Sequence, residues 1–200
     1  MAIIAKNEHI CIREMEACAA DFDQHLRWMT SPEVLEYWDG EYDDGSIREM
    51  YYDHMREGVT PCFIELDGRA IGYVQFDRIP DADGYECPEA DWARFFQPGE
   101  IIYGVDMFIA ADADRNRGVG TQMLTLLSRA LFEKYGADAL VVDPKTHNAR
   151  AIACYHKCGF RDCFVVPQRE AHFDEVFDSL IMRMDKPNWS LHNSDFGRKI

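Results

Sequence analysis

Apolar and polar residues along this chain change period several times, and each change marks an element. Residues 9–13 alternate in strand fashion, whereas the segment from 17 to 28 and just beyond sets Phe22, His25, Leu26 and Met29 at helical offsets before Ser31-Pro32 interrupts. Pro32 suits the start of a short helix through Glu33, Val34, Leu35 and Tyr37 that ends near Asp39-Gly40. Ser46, with Glu49 three residues on, reads as the capping box of the next helix. Residues 62–66 and 70–76 flank Asp67-Gly68 and form the clearest hairpin signal in the sequence. Residues 78–99 are rich in Pro, Asp and Gly yet hold Tyr85, Trp92, Phe95 and Phe96. They read as a long excursion between strands, and long loops with aromatics are often functional.

In the second half, the apolar run 101–109 predicts a buried strand interrupted by one carboxylate, Asp106. The turn Arg115-Asn116-Arg117-Gly118-Val119-Gly120-Thr121 then opens an amphipathic helix on which Met123, Leu124, Leu126, Leu127, Ala130 and Leu131 recur, to about Tyr135. Residues 139–142 predict a short buried strand ending at Asp143-Pro144. A helix follows from Asn148, carries Ala151, Ile152, Cys154 and Tyr155, and stops at Gly159. Two final strands fall at 160–166 and 175–184, followed by a polar tail at 187–200. This order predicts one mixed α/β (α+β) domain over 1–186. It does not match a dinucleotide-binding unit, whose glycine turn follows the first strand, and no Gly-Lys-Ser/Thr supports a Walker loop.

Length and composition narrow the chemistry. Two hundred residues can bury a sizeable core as a single unit. No run of 18 apolar residues appears and residues 1–9 lack the order of a secretory signal, so a cytoplasmic protein with no membrane association is expected. The seven cysteines are odd in number and scattered, as reduced thiols are. Cys154 and Cys158 lie four apart on one helix face with His156 pointing elsewhere, which favours neither a zinc site nor a nucleophile, and no metal is expected. The net charge of −15 falls entirely on residues 1–100, which carry 8 basic and 23 acidic residues, whereas 101–200 carry 13 of each. Such a field repels nucleic acid and attracts small cations; a solvated acidic face is the alternative reading.

Two features carry candidate chemistry. Gly118 and Gly120 let backbone come close to a ligand, and the unpaired N–H groups and dipole of the new helix attract an anion. A helix entry whose glycines serve only packing is the alternative. Asp106, inside an apolar strand just before that turn, either binds a substrate ammonium and takes its proton or is a structural carboxylate satisfied by backbone or Arg.

Arg115-x-x-Gly118-x-Gly120 resembles the acetyl-CoA signature of the GCN5-related N-acetyltransferases, Arg/Gln-x-x-Gly-x-Gly/Ala at a strand-to-helix turn. About thirty residues on, Asp143-Pro144-x-x-x-Asn148-x-Arg150-Ala151-x-x-x-Tyr155-x-Lys157-x-Gly159-Phe160 is similar to that family's segment for the CoA arm and thioester. Residues 10–13, 26–30, 34–36, 71–75 and 103–109 narrow the likeness to aminoglycoside 6′-N-acetyltransferases, over about residues 10–185. Met107 stands where that pattern, Gly-x-Asp-Gln, has glutamine.

The resemblance implies a central mixed, mostly antiparallel twisted sheet flanked by helices on both faces. It also implies acetyl transfer from acetyl-CoA to the 6′-amino group of an aminoglycoside in a ternary complex, and with it antibiotic resistance, or to another small cationic amine such as a polyamine or peptide amine. Asp106 would accept the ammonium proton and Tyr155 would protonate or position the thiol, although Tyr155 also reads as a core tyrosine. The backbone at Met107, Phe108 and Ile109 would hold the pantetheine arm. Amides of Arg117, Gly118, Val119, Gly120 and Thr121 would hold the pyrophosphate, with Arg115 and Arg117 adding charge. Asn148 would bind the arm or equally cap its helix. Trp28, Tyr37, Gln75, Asp91, Trp92, Tyr103, Asp106 and Asp143 would form the acceptor site, with core packing the favoured alternative for Trp28 and Tyr37. Partners are then small molecules, and the chain acts as a monomer or homodimer.

Overall fold

The computed structural model describes residues 2–38 and 40–186, so the expected tail at 187–200 lies outside the described residues. Among the described residues the strands and α-helices follow in the order β1 (Ile3–Lys6), β2 (Ile10–Glu14), α1 (Ala19–Met29), α2 (Pro32–Leu35), α3 (Asp44–Glu57), β3 (Thr60–Leu66), β4 (Arg69–Ile79), α4 (Glu89–Trp92), β5 (Ile102–Ile109), α5 (Val119–Glu133), β6 (Ala139–Val142), α6 (Ala149–Cys158), β7 (Arg161–His172) and β8 (Glu175–Asp185). The chain divides into two compact units. The first takes residues up to Asp77, Val105–Leu127 and His172–Glu175; the second takes Arg78–Gly104, Ser128–Ala171 and the chain from Val176.

In the first unit the hydrogen-bonded strand order is β1-β2-β3-β4-β5, with β1 to β4 antiparallel. Asp67 and Gly68, with φ of 50° and 78°, supply the two left-handed residues that a tight β3–β4 turn needs. The core gathers Phe22, Trp28, Met29, Val34, Ile47, Phe63, Tyr73 and Phe108. In the second unit the order is β5-β6-β8-β7: β5 and β6 are parallel, while β6 and β8 are antiparallel. Its core holds Ile79, Tyr85, Trp92, Phe96, Ile102, Val141 and Ile181. The mixed, mostly antiparallel sheet is the one the family resemblance implies. Among the described residues no helix is long and apolar enough to cross a membrane, and no cluster of three His, Cys, Asp or Glu side chains has metal-binding geometry.

Several local expectations change. The capping residue of α3 is Asp43, whose carboxylate accepts from the Ser46 N–H at 2.8 Å while Ser46 Oγ accepts from the Asp43 N–H. Ser46 is therefore the third helical residue, and Asp outcompetes it as cap because its charge also meets the helix dipole. β1, only four residues long, has too few alternations to register as a strand. β7 runs six residues past 166 because Pro167 breaks the alternation without ending the strand, a substitution tolerated in the last strand of the order. The excursion at 78–99 is not an open loop: Trp92 stacks on Phe96 with ring centroids 3.8 Å apart and both rings lie in the core.

Candidate active site

Two neighbouring strands of the first unit carry the candidate proton acceptor. The Ala110 N–H donates to the Ile71 carbonyl at 2.9 Å, and a Cβ built on Gly72 would fall 2.3 Å from the Phe108 carbonyl oxygen. The missing side chain at Gly72 is thus what allows β4 this close to β5. Three residues on, Gln75 Nε2 donates to Asp106 Oδ2 at 3.2 Å, and the Tyr73 hydroxyl donates to Gln75 Oε1 at 2.9 Å. Tyr73 is fully buried, and that burial, reinforced by Cys62, Asp106 and Tyr42, holds its phenol pKa well above the usual value. Asp106 and Met107 are half-buried; Phe108 and Ile109 are buried. β5 pairs with β6 only from Ile102 to Gly104 and continues through Ile109.

The cradle follows from backbone conformation. Asn116 and Gly118 take φ of 58° and 78°, turning the chain into α5. The Gln122 N–H is bonded to the Gly118 carbonyl at 3.0 Å, the first bond of the helix, so the N–H groups of Val119 and Gly120 lie ahead of the intrahelical ladder. Aligned with the dipole of a 15-residue helix, they suit a phosphate. Arg117 is exposed, 3.8 Å from the Asp114 carboxylate, which Arg69 grips at 2.7 and 3.0 Å and holds below its ordinary pKa.

Arg115, expected to add charge beside the phosphates, is engaged by the protein's own groups. Its side chain is only 7 % exposed, and it donates to the carbonyls of Ile109 and Glu33, each at 2.8 Å, and to the Asp112 carboxylate. Backbone carbonyls around its guanidinium fork make it a buttress of the turn.

The second unit holds the other expected residues. Asn148 caps α6, its Oδ1 accepting from the Ala151 N–H at 3.1 Å, and Gly159 ends that helix at φ 106°. Tyr155 is buried beside Phe160, with ring centroids 5.6 Å apart. Tyr103 meets Tyr135 edge-on at 6.0 Å. Asp143, expected to await a substrate ammonium, already pairs with Arg169, whose guanidinium also donates to the Tyr85 carbonyl at 2.9 Å and lies over the Tyr85 ring. Asp91 is partly exposed and 3.5 Å from Arg94.

Of the expected aromatics, Trp92 is core, and so is Trp28, packed on Phe63 and Phe108. Tyr37 is half-buried. Gln75 and Asp106 are brought together as expected partners of one site. Tyr73 and Arg169 were missed. Tyr73 lies two residues from Gln75 on one strand, so strand periodicity places both on one face and was the available signal. Arg169 offered none, since its partners are remote in sequence.

The acetyltransferase (GNAT) domain model matches residues 17–166. An aminoglycoside N(6′)-acetyltransferase type 1 of Klebsiella pneumoniae is 28 % identical over 160 residues, 77 % of this chain and 75 % of the relative. An N-alpha-acetyltransferase of Sulfurisphaera tokodaii is 25 % identical over 133 residues, 64 % of this chain and 72 % of that protein. The crystal structure of aminoglycoside acetyltransferase AAC(6′)-Ib with coenzyme A and kanamycin superimposes with a TM-score of 0.72 at 25 % identity, covering 91 % of this chain and 98 % of that one. Matched through both of its compact units by a single domain model, the chain belongs to the GNAT acetyltransferase family.

Proposed function

We propose that this protein transfers the acetyl group of acetyl-CoA to the 6′-amino group of aminoglycosides, by direct attack within a ternary complex, and so confers resistance. The observation that carries this reading is Asp106: a carboxylate in an otherwise apolar strand, held by an amide donor, eleven residues ahead of an exposed arginine that begins an anion cradle. Likeness to 6′-acetylating enzymes over three quarters of the chain supplies the acceptor class. Residues 1–186 act as one acetyltransferase domain, in the cytoplasm.

Bound acetyl-CoA supplies a thioester whose carbonyl carbon is open to an amine. The N–H groups of Gly118, Val119, Gly120 and Thr121, with Arg117, hold its pyrophosphate. Backbone groups at Met107, Phe108 and Ile109 hold the arm and polarise the carbonyl. Asn148, whose oxygen is committed to its helix, offers its amide nitrogen to the arm. Asp106 would take the proton from the acceptor ammonium, Tyr155 would give its hydroxyl proton to the departing sulfur as the C–S bond breaks, and the second proton shed by the newly acylated nitrogen would restore the Tyr155 phenol. Tyr37, Gln75, Asp91 and Tyr103 contact the acceptor, while Asp143 does so only in competition with Arg169. Mass spectrometry of kanamycin incubated with enzyme and acetyl-CoA tests the reading: a single added acetyl group is expected, and none would refute the aminoglycoside assignment.

The neutralised Asp143 favours a second reading, in which the acceptor is a less highly charged amine such as a peptide N-terminus. Specificity constants over a panel of amines separate the two.

A further inference from the structure

We infer that Tyr73 is a positioning residue for acetyl transfer, fixing the Gln75 amide so that its N–H, and not its carbonyl, faces Asp106. The inference rests on the reading of Asp106 as proton acceptor. Tyr73 and Gln75 lie on the same face of β4, and the two hydrogen bonds from Tyr73 to Gln75 and from Gln75 to Asp106 run in series at 2.9 and 3.2 Å.

The direction of that series is set by the phenol. A glutamine amide presents an oxygen on one side and a nitrogen on the other, with little intrinsic preference between its two orientations. A buried phenol that stays protonated donates, so it selects the amide oxygen and leaves the NH2 group for the carboxylate. The groups bearing on the phenol are Cys62, Asp106 and Tyr42, and each, like burial itself, opposes its ionisation.

The ring in turn is clamped. His25 stacks on it at 4.4 Å and 22°, Phe108 at 5.7 Å and 27°, and Trp38 meets it edge-on at 6.1 Å. The hydroxyl therefore has one position from which to donate. Without it the amide can turn, placing its carbonyl against the Asp106 carboxylate, acceptor against acceptor. An amide donor stabilises the ionised carboxylate that a proton acceptor requires, and a turned amide favours the protonated form.

The test is steady-state kinetics against pH for the wild type, Tyr73→Phe, Gln75→Leu, the double variant and Asp106→Asn, with whichever amine of the acceptor panel the wild type turns over fastest. Tyr73→Phe is expected to lower kcat about threefold to tenfold with the acetyl-CoA KM unchanged. Its acid limb should move up by about half a pH unit. Gln75→Leu should move the limb the same way, and adding Tyr73→Phe to it should cost nothing further. An unmoved acid limb in Tyr73→Phe, or a Tyr73 effect undiminished in the Gln75→Leu background, overturns the inference and leaves the functional reading standing. Should Tyr73→Phe not fold, an unmoved limb in Gln75→Leu overturns it alone. Full turnover by Asp106→Asn removes the proton acceptor itself, and the inference with it.

Discussion

Arg115 Nη2 donates to the backbone carbonyl of Glu33 at 2.8 Å, tying the cradle turn to α2 across 82 residues of chain. The arginine of the acetyl-CoA signature here holds the turn itself, through backbone carbonyls on either side of it.

Arg115→Lys is therefore expected to lose stability and cofactor affinity together. An ammonium keeps the charge but cannot fork to carbonyls on both sides, so charge-assisted bonds worth about 2 kcal/mol are lost. Thermal melts should fall by about 5 °C, with a raised KM for acetyl-CoA. Arg117→Ala, at an exposed side chain, should raise that KM with the melt unchanged. Equal melts for Arg115→Lys and the wild type would return Arg115 to the phosphates.

Gly72→Ala should disturb β5. Its Cβ would meet the Phe108 carbonyl at 2.3 Å and the Ile109 Cα at 3.1 Å, and backbone atoms cannot rotate away as a side chain does. A loss of about 1–3 kcal/mol in urea denaturation and a fall in kcat are expected. An alanine variant with wild-type stability and turnover would show that the strands part freely there.

His25 makes the first unit acid-sensitive. It is almost fully buried, neither ring nitrogen has a hydrogen-bond partner among the described residues, and burial, then His54, pull its pKa down to about 4. Between pH 6.5 and 4 the unfolded chain binds the proton that the folded one refuses. Stability contributed by the neutral ring is thus complete above pH 6.5 and is lost as pH falls toward 4, by about 3 kcal/mol. Urea midpoints across that range should slope less steeply in His25→Phe than in the wild type. An identical slope would assign the acid sensitivity elsewhere.

Within the second unit, Trp92 and Asp91 should separate stability from selectivity. Trp92→Ala removes a core ring and should cost about 3–5 kcal/mol. Asp91→Ala, at a partly exposed side chain, should raise the acceptor KM and leave the melt unchanged. The reverse pattern would make Trp92 the acceptor wall.

The sequence is most legible where local chemistry decides the structure. The β3–β4 hairpin follows from Asp67-Gly68, β6 from four apolar residues, and α6 from Asn148 at one end and Gly159 at the other. The family followed from motifs on either side of α5. Illegible were the outcomes of long-range competition. Nothing near Arg115 says that a carbonyl 82 residues away will claim it, and nothing near Asp143 says that Arg169 will neutralise it. Trp92 looked like a binding wall because local sequence does not show that it will share an interior with Ile79, Ile102 and Ile181.

That shared interior has a practical consequence for engineering. Tyr85, Trp92 and Phe96, from the segment before β5, lie in the same core cluster as Ala139 and Val141 of β6. The segment resembles a variable loop in composition but serves as a structural insert. Grafting it from a relative to alter the acceptor profile would exchange part of the interior along with the rim. Retargeting this enzyme is better begun from single polar positions such as Asp91 and Tyr103 than from loop exchange.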